Sequence, residues 1–218
     1  MNRAILIFSK SADSGRVKTR LRPSLSEAQC LSLHIAFLKD TIAKCSLVEA
    51  NIFLYLEGSG NLPFDPCVPV RLQRGRDLGD RMRNAFAKSL ERYQKVLIVG
   101  TDSPVVPPDN LDRAFQGLDS HDIVLGPAKD GGYYLIALKK VIPTVFAGIP
   151  WGTPEVLQKT LRKLEHNQVL TLPPSFDVDE PPDLERLKEE LSSNDAAYLK
   201  HTRHWFETHN AWREVSGN

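Results

Sequence analysis

The chain has 218 residues, 25% of them charged and 41% apolar, and a formal net charge of +1. That length supplies one generous core, while the near balance of charge argues against nucleic acid or an anionic membrane as the main partner and leaves any positive field local. No apolar run approaches the ~20 residues of a membrane span, and the start from Met1 to Phe8 is too short and strand-like for a signal peptide, so a cytoplasmic protein is expected. The three cysteines, Cys30, Cys45 and Cys67, are odd in number and lack metal-ligand spacing, which argues against a disulfide framework or a zinc site.

Ala4 to Phe8 reads as a compact apolar strand. From Ser9 to Pro23 the chain is polar and has little to bury; it is expected as an exposed loop in which Arg16, Lys18, Arg20 and Arg22 alternate with no acid among them. Extended backbone would set several of these cations on one side. Arg forks and a Lys point charge are the types that hold a di- or triphosphate; a solvated basic loop is the alternative. The loop is not a P-loop, because Gly15 stands alone with no Gly-Lys-Ser/Thr.

Ser24 to Glu27 has capping-box spacing, and a helix is expected from about Ser26 to Cys45 with Leu31, Ile35, Leu38 and Ile42 on its inner stripe. His34 on that helix reads as a packing or surface residue, since no partner stands at ligand spacing. Strands are expected over Asn51 to Leu56 and Val70 to Gln73. Arg74 to Arg83 leads into an amphipathic helix whose glycines and acids, Asp77 and Gly79 included, suit an anion or base-edge contact, although helix capping accounts for Asp77 equally well.

Lys95 to Pro104 is the centre of the reading. Val96 to Val99 has the continuous apolar character of a strand buried on both faces, hence of a central strand in a parallel sheet. Gly100 then lets the chain turn, Asp102 projects a carboxylate from the strand's carboxyl end and Pro104 stiffens the exit. Ligands of open α/β sheets sit at such ends; an Asx-type turn is the competing account of Asp102.

A helix from Pro108 to Leu118 and a buried strand from Asp122 to Pro127 follow. Gly131 and Gly132 precede a strand and admit a close backbone or ligand, with Tyr133 and Tyr134 on opposite faces and Tyr133 assigned to the cleft. Ile149 to Glu155 closes a loop and opens a helix, with Thr153 as N-cap and Pro154 in the first turn; Trp151 is a lid over the cleft or a core plug. After a last strand from Val169 to Leu172, Asp177 and Asp179 share a side if extended. A second carboxylate beside Asp102 would complete an oxygen site for a hard cation carrying phosphates; alternatively Asp179 serves a helix N-terminus. The tail reads as a closing helix from about Asn194, with His201, His204 and His209 on a solvated face.

The set Gly15-Arg-Val-Lys-Thr-Arg-Leu21, Asp77-Leu-Gly-Asp-Arg-Met82, Gly100-Thr-Asp-Ser-Pro104, Asp130-Gly-Gly-Tyr-Tyr-Leu-Ile136, Ile149-Pro-Trp151 with Thr153-Pro154, and Asp177-Val-Asp179 resembles the bacterial glycosyltransferase-A-like family often labelled radical-SAM/selenodomain-associated transferases. It is a branch of the nucleotide-diphospho-sugar transferase fold. The resemblance implies a single α/β domain over residues 1–218, a mostly parallel sheet flanked by helices, and a nucleotide at the carboxyl ends of the first strands. It implies glycosyl or nucleotidyl transfer from a nucleotide or nucleotide-diphospho-sugar to a small acceptor of unknown identity, with magnesium, or manganese in its place. In that reading Asp102 and Lys18 are catalytic, and Ser9, Lys10, Arg16, Lys18, Arg20, Asp77 and Gly79 hold the nucleotide and its phosphates. Gly131, Gly132, Tyr133 and Trp151 shape the acceptor or sugar side, and Asp102 and Asp179 ligate the metal. Oligomers are compatible with it, and a nucleotide-binding module without turnover, acting through a partner protein, is the second expectation.

Overall fold

A computed structural model describes residues 2–12, 17–192 and 197–209. Its strands are β1 (Arg3–Lys10), β2 (Asn51–Glu57), β3 (Val70–Leu72), β4 (Lys95–Gly100), β5 (Ile123–Pro127), β6 (Tyr133–Leu138) and β7 (Val169–Thr171). The helices are α1 (Glu27–Cys45), α2 (Leu78–Leu90), α3 (Pro108–Gly117), α4 (Val156–Arg162), α5 (Pro181–Leu191) and α6 (Lys200–Thr208). One seven-stranded sheet runs in the order β3-β2-β1-β4-β6-β5-β7. Every strand is parallel to its neighbours except β6, which lies antiparallel between β4 and β5.

Alternation along β1 shows why the sheet is covered on both faces. Ile5 and Ile7 enter a core with Leu38, Leu111 and Phe115 of α1 and α3, whereas Ala4, Leu6 and Phe8 enter a second core with Met82 and Phe86 of α2. A third core joins Leu33 and Phe37 of α1 to Leu184 and Leu187 of α5 and to Trp205 and Phe206 of α6. Helix α1 therefore buries more than one stripe: Leu33, Ala36 and Phe37 are fully inside, while the expected Leu31, Ile35 and Ile42 are half-buried. No described helix is long and apolar enough to cross a membrane.

Several local expectations change. The capping box of α1 is made by Ser26 and Gln29, not by Ser24 and Glu27: Gln29 N donates to Ser26 Oγ (3.3 Å) and Ser26 N to Gln29 Oε1 (2.8 Å). Helix α4 starts at Val156 behind Glu155, and Thr153 belongs to the preceding turn, donating to the Pro150 carbonyl (2.9 Å). The basic loop is not simply exposed, since Val17, Lys18 and Leu21 are buried. Its Arg16, like the Asn194 start of the closing helix, lies outside the described residues.

Two buried charges on α1 tie the rear of the molecule together. Leu199 ahead of α6 offers no side-chain cap, and Asp40, 1% exposed, takes its place by accepting from His201 N (2.9 Å) and Thr202 N (2.8 Å). One turn on, buried Lys44 donates to the Pro104 (3.3 Å) and Val106 (3.0 Å) carbonyls, and burial lowers its pKa to about 8. Asp40→Ala should cost about 1–2 kcal/mol, the scale of a lost cap, read as a fall in Tm of ~2–8 °C. Asp40→Asn, which keeps one acceptor oxygen, should fall in between.

Candidate functional site

The chain runs outward from β1 to β2 and β3 on one side and reaches β4 on the other, so the carboxyl ends of β1 and β4 flank a topological switch point, where open α/β sheets bind ligands. A cavity of ≈ 720 Å³ opens there. Glu57 and Gln73 bound it at the ends of β2 and β3, and Gly132, Tyr133 and Trp151 on the side of β6.

Lys18 is set into the cavity wall. The residue adopts a left-handed backbone (φ 49°), a conformation that costs energy for any side chain with a Cβ, and its side chain is 2% exposed. Nζ meets Asp102 Oδ1 in a short ion pair, stands 3.3 Å from Asp179 Oδ1, and donates to the Val178 carbonyl (2.8 Å). The Phe37 ring lies behind it, 5.3 Å from Nζ. Burial pulls the ammonium's pKa down, yet Asp102 and then Asp179 outweigh it and hold the value above that of an ordinary lysine. Asp102, half exposed to the cavity, has its pKa raised by the protein packed around it, but the Lys18 ammonium more than reverses this and keeps it ionised.

Asp102 and Asp179 are thus in one place although far apart in sequence. Beyond β7 the chain follows β5, with an Ala128–Ser175 bridge, and then crosses to β4, where Val178 N donates to the Asp102 carbonyl (2.9 Å). The same crossing sets Asp177 against Ser103, whose hydroxyl donates to Oδ1 in a very short hydrogen bond. Burial, and after it the nearby Asp102 and Asp130 charges, push Asp177 from the ordinary 3.8 up to about 7, against the Ser103 bond that pulls it down. The site thereby holds one fixed carboxylate at Asp102 and one carboxyl that exchanges its proton near neutrality.

His34 lies beneath the end of β1. Its Nε2 faces the Lys10 carbonyl (3.1 Å) and the Ser9 hydroxyl (3.4 Å); a carbonyl only accepts, so Nε2 carries the hydrogen. Burial lowers its pKa and keeps the ring neutral. Ser9 also meets the Thr101 hydroxyl (3.5 Å), joining the ends of β1 and β4.

Across the cavity a bulge decides the two tyrosines. Gly126 pairs with Leu135 and Pro127 with Tyr133, so Tyr134 is the extra residue of β6. Its ring covers Gly126, where a Cβ would come within 2.4 Å. Its hydroxyl accepts from Asn110 (3.0 Å) and donates to the Pro173 carbonyl (3.1 Å). Tyr133 lies on the opposite face, half-buried, with its ring edge-on to Trp151 at 6.2 Å. Trp151 lines the cavity and also packs on α2: its Nε1 fills the space that a Cβ on Gly79 would take.

The family model described as "Uncharacterized protein conserved in bacteria (DUF2064)" matches residues 27–153. The chain belongs to that family. A solved protein from Desulfovibrio desulfuricans G20, provisionally named a nucleotide-diphospho-sugar transferase, is 31% identical with a TM-score of 0.90, over 98% of each chain. Rv0371C from Mycobacterium tuberculosis H37Rv, solved as a manganese complex, is 18% identical with a TM-score of 0.54, over 87% of this chain and 99% of that one. The 4-diphosphocytidyl-2C-methyl-D-erythritol synthase of Anaerococcus prevotii DSM 20548 is 11% identical with a TM-score of 0.58, over 88% and 96%. The last two show the fold alone; the single α/β domain is of the nucleotide-diphospho-sugar transferase type that the D. desulfuricans protein shares. No curated protein matches.

The site of this DUF2064 chain gathers Ser9, Lys10, Lys18, Arg20, Asp102, Asp179, Gly132, Tyr133 and Trp151 around one cavity. Three expected residues do not line it. The Asp77 carboxylate is used as the cap of α2, accepting from Asp80 N (2.8 Å); Gly79 is buried under Trp151; Gly131 (φ 92°) packs on Pro154, whose carbonyl oxygen a Cβ would approach to 2.1 Å. Conversely Asp177, Ser103, Thr101, His34, Glu57, Gln73 and Asp130 line the cavity. Of these, Asp177 carried a local signal, its alternation with Asp179, and Thr101, Ser103 and Asp130 stood in the quoted motifs without an assigned role; His34, Glu57 and Gln73 are ordinary polar residues until the sheet order assembles them.

Because the folded pKa of Asp177 lies above its unfolded value, its contribution to stability is full below about pH 4 and is lost as pH rises through about 7. In metal-free buffer, Asp177→Asn should therefore gain on the parent between pH 5 and pH 8, by ~2–8 °C in Tm. A Tm difference that does not change with pH would show that this carboxyl does not titrate there.

Proposed function

We propose that the chain is a transferase acting on a nucleotide or nucleotide-diphospho-sugar, with a divalent cation, by glycosyl or nucleotidyl transfer to a small acceptor. The observation that carries the reading is the convergence of Lys18, Asp102 and Asp179 at the switch point of the sheet. The family relationship to the D. desulfuricans protein supports it. A binding module without turnover would need the same cavity but not the paired acids.

The donor set suits magnesium or manganese. Asp102 and Asp179 are hard oxygen ligands close enough to share one cationic group, here the Lys18 ammonium. Among the described residues no cluster of three or more acids, His or Cys forms a metal cage, and a cation carrying a nucleotide fills its remaining positions with phosphate oxygens and water. When bound, it would neutralise charge on those oxygens.

Transfer of this kind depends on positioning and charge neutralisation more than on a covalent nucleophile. Lys18, with Arg20 beside Asp179 (3.9 Å), supplies positive charge for the phosphates. Ser9 and Lys10 at the end of β1 place the nucleoside over β1 to β3, leaving Gly132, Tyr133 and Trp151 to bound the acceptor or sugar. Lys18, expected as an exposed loop cation, is a buried one whose removal would leave two facing carboxylates, so the cleaner probe is Asp102. Magnesium should tighten nucleoside diphosphate binding by at least tenfold, or about 1.4 kcal/mol, measured by isothermal titration. Asp102→Asn should lose this gain and still unfold cooperatively. Binding indifferent to magnesium in the parent would sink the shared-cation reading.

A further inference from the structure

At the rim of the cavity, β2 and β3 end side by side. Leu56 pairs with Leu72, and Gln73 N donates to the Leu56 carbonyl (2.9 Å). The next step outward therefore sets Glu57 beside Gln73, about one strand spacing of ~4.8 Å away and on the same face of the sheet. Both side chains line the cavity.

The Gln73 amide is already half committed. Nε2 donates to the Ser9 (3.1 Å) and Tyr55 (3.0 Å) carbonyls, which uses both of its N–H groups and fixes which end of the amide is nitrogen, since carbonyls cannot donate. What remains for a ligand is Oε1, an acceptor. Glu57 beside it accepts only: Arg81 engages its Oε1 from α2 (2.7 Å), and the side chain is 43% exposed to the cavity mouth. Two adjacent acceptors select a ligand edge with two adjacent donors.

Resting on the nucleotide reading above, with the nucleoside over β1 to β3, we infer that Gln73 and Glu57 read the base and that the base is guanine. Its Watson–Crick edge offers N1–H beside the 2-amino group. Uracil flanks a single N–H with two carbonyls, and cytosine and adenine set an amino group beside a ring nitrogen that accepts. Against those edges at least one of the two protein acceptors would face another acceptor, and sites built to hydrogen-bond a group discriminate strongly against ligands that lack it.

The test is isothermal titration of the intact protein, in magnesium chloride, with GDP, IDP, UDP, CDP and ADP. GDP is expected to bind at least about tenfold tighter than each of the others. IDP is the sharpest comparison because it lacks only the 2-amino group. In Glu57→Ala the preference for GDP over IDP should fall to about twofold or less, and the fold should hold, since a surface ion pair such as Glu57–Arg81 contributes little. UDP, CDP or ADP binding as tightly as GDP, a GDP-to-IDP ratio near one, or a ratio unchanged by Glu57→Ala would overturn the base assignment while nucleotide binding stands. Binding by none of the five would overturn the nucleotide reading and this inference with it.

Discussion

The interaction on which the site depends is the ion pairing of one buried ammonium with two carboxylates. Removing a charge from water costs several kcal/mol unless its partners are well placed, and Lys18 meets that condition through Asp102, Asp179 and the Val178 carbonyl. Three segments distant in sequence must therefore fold before any of them is at ease. The left-handed backbone at Lys18 belongs to the same account: a strained residue persists where its surroundings over-determine it, and such residues concentrate at functional sites. The arrangement also sets a cation between Asp102 and Asp179, two carboxylates that would repel each other without one.

Around that contact the sheet works as a jig. Parallel β1 and β4 bring Ser9 and Asp102 to one edge, while the reversed β6 returns Gly132 and Tyr133 to the same edge from the opposite direction. A parallel β6 would carry its glycines to the far end. The bulge at Tyr134 then sends that ring behind the sheet and anchors it through Asn110 and Pro173, so that the neighbouring Tyr133 is left to Trp151. On the β6 side the position of the cavity wall follows from strand direction and one extra residue, with Trp151 added from the loop before α4.

The sequence carried the strong periodic and local signals well. The strand from Lys95, the exit at Gly100 to Pro104 and the Asp102–Asp179 partnership were readable because an apolar run, a glycine and alternating acids each have a short-range physical meaning. At α1 the capping box moved from Ser24 to Ser26 while the expected helix bounds held, and at Thr153 a proline turn delayed the start of α4. Burial of a charge was not readable. Lys18 resembles its exposed neighbour Arg20 in every local respect, and only the crossing of the segment from Ser175 to Asp179 over β4 distinguishes them. His34, read from the sequence as a packing or surface residue, is buried, and its service to the Lys10 carbonyl required the fold.

The acid site is also held from behind, through α1. Lys44 holds the Pro104 and Val106 carbonyls immediately after Asp102 and Ser103, and Asp40, one turn earlier on the same helix, caps α6. A fully buried lysine with its pKa lowered to about 8 is an expensive fastener compared with an apolar side chain of similar volume. What an apolar side chain lacks is donors, and the turn after β4 has two inward-facing carbonyls that would otherwise be buried without partners. Since Asp102 has to leave the strand in one direction to meet Lys18, the turn that aims it cannot be left to pack loosely. The polar bracket on α1 therefore connects the packing of the C-terminal helix, through one element, to the orientation of the carboxylate at the cavity floor.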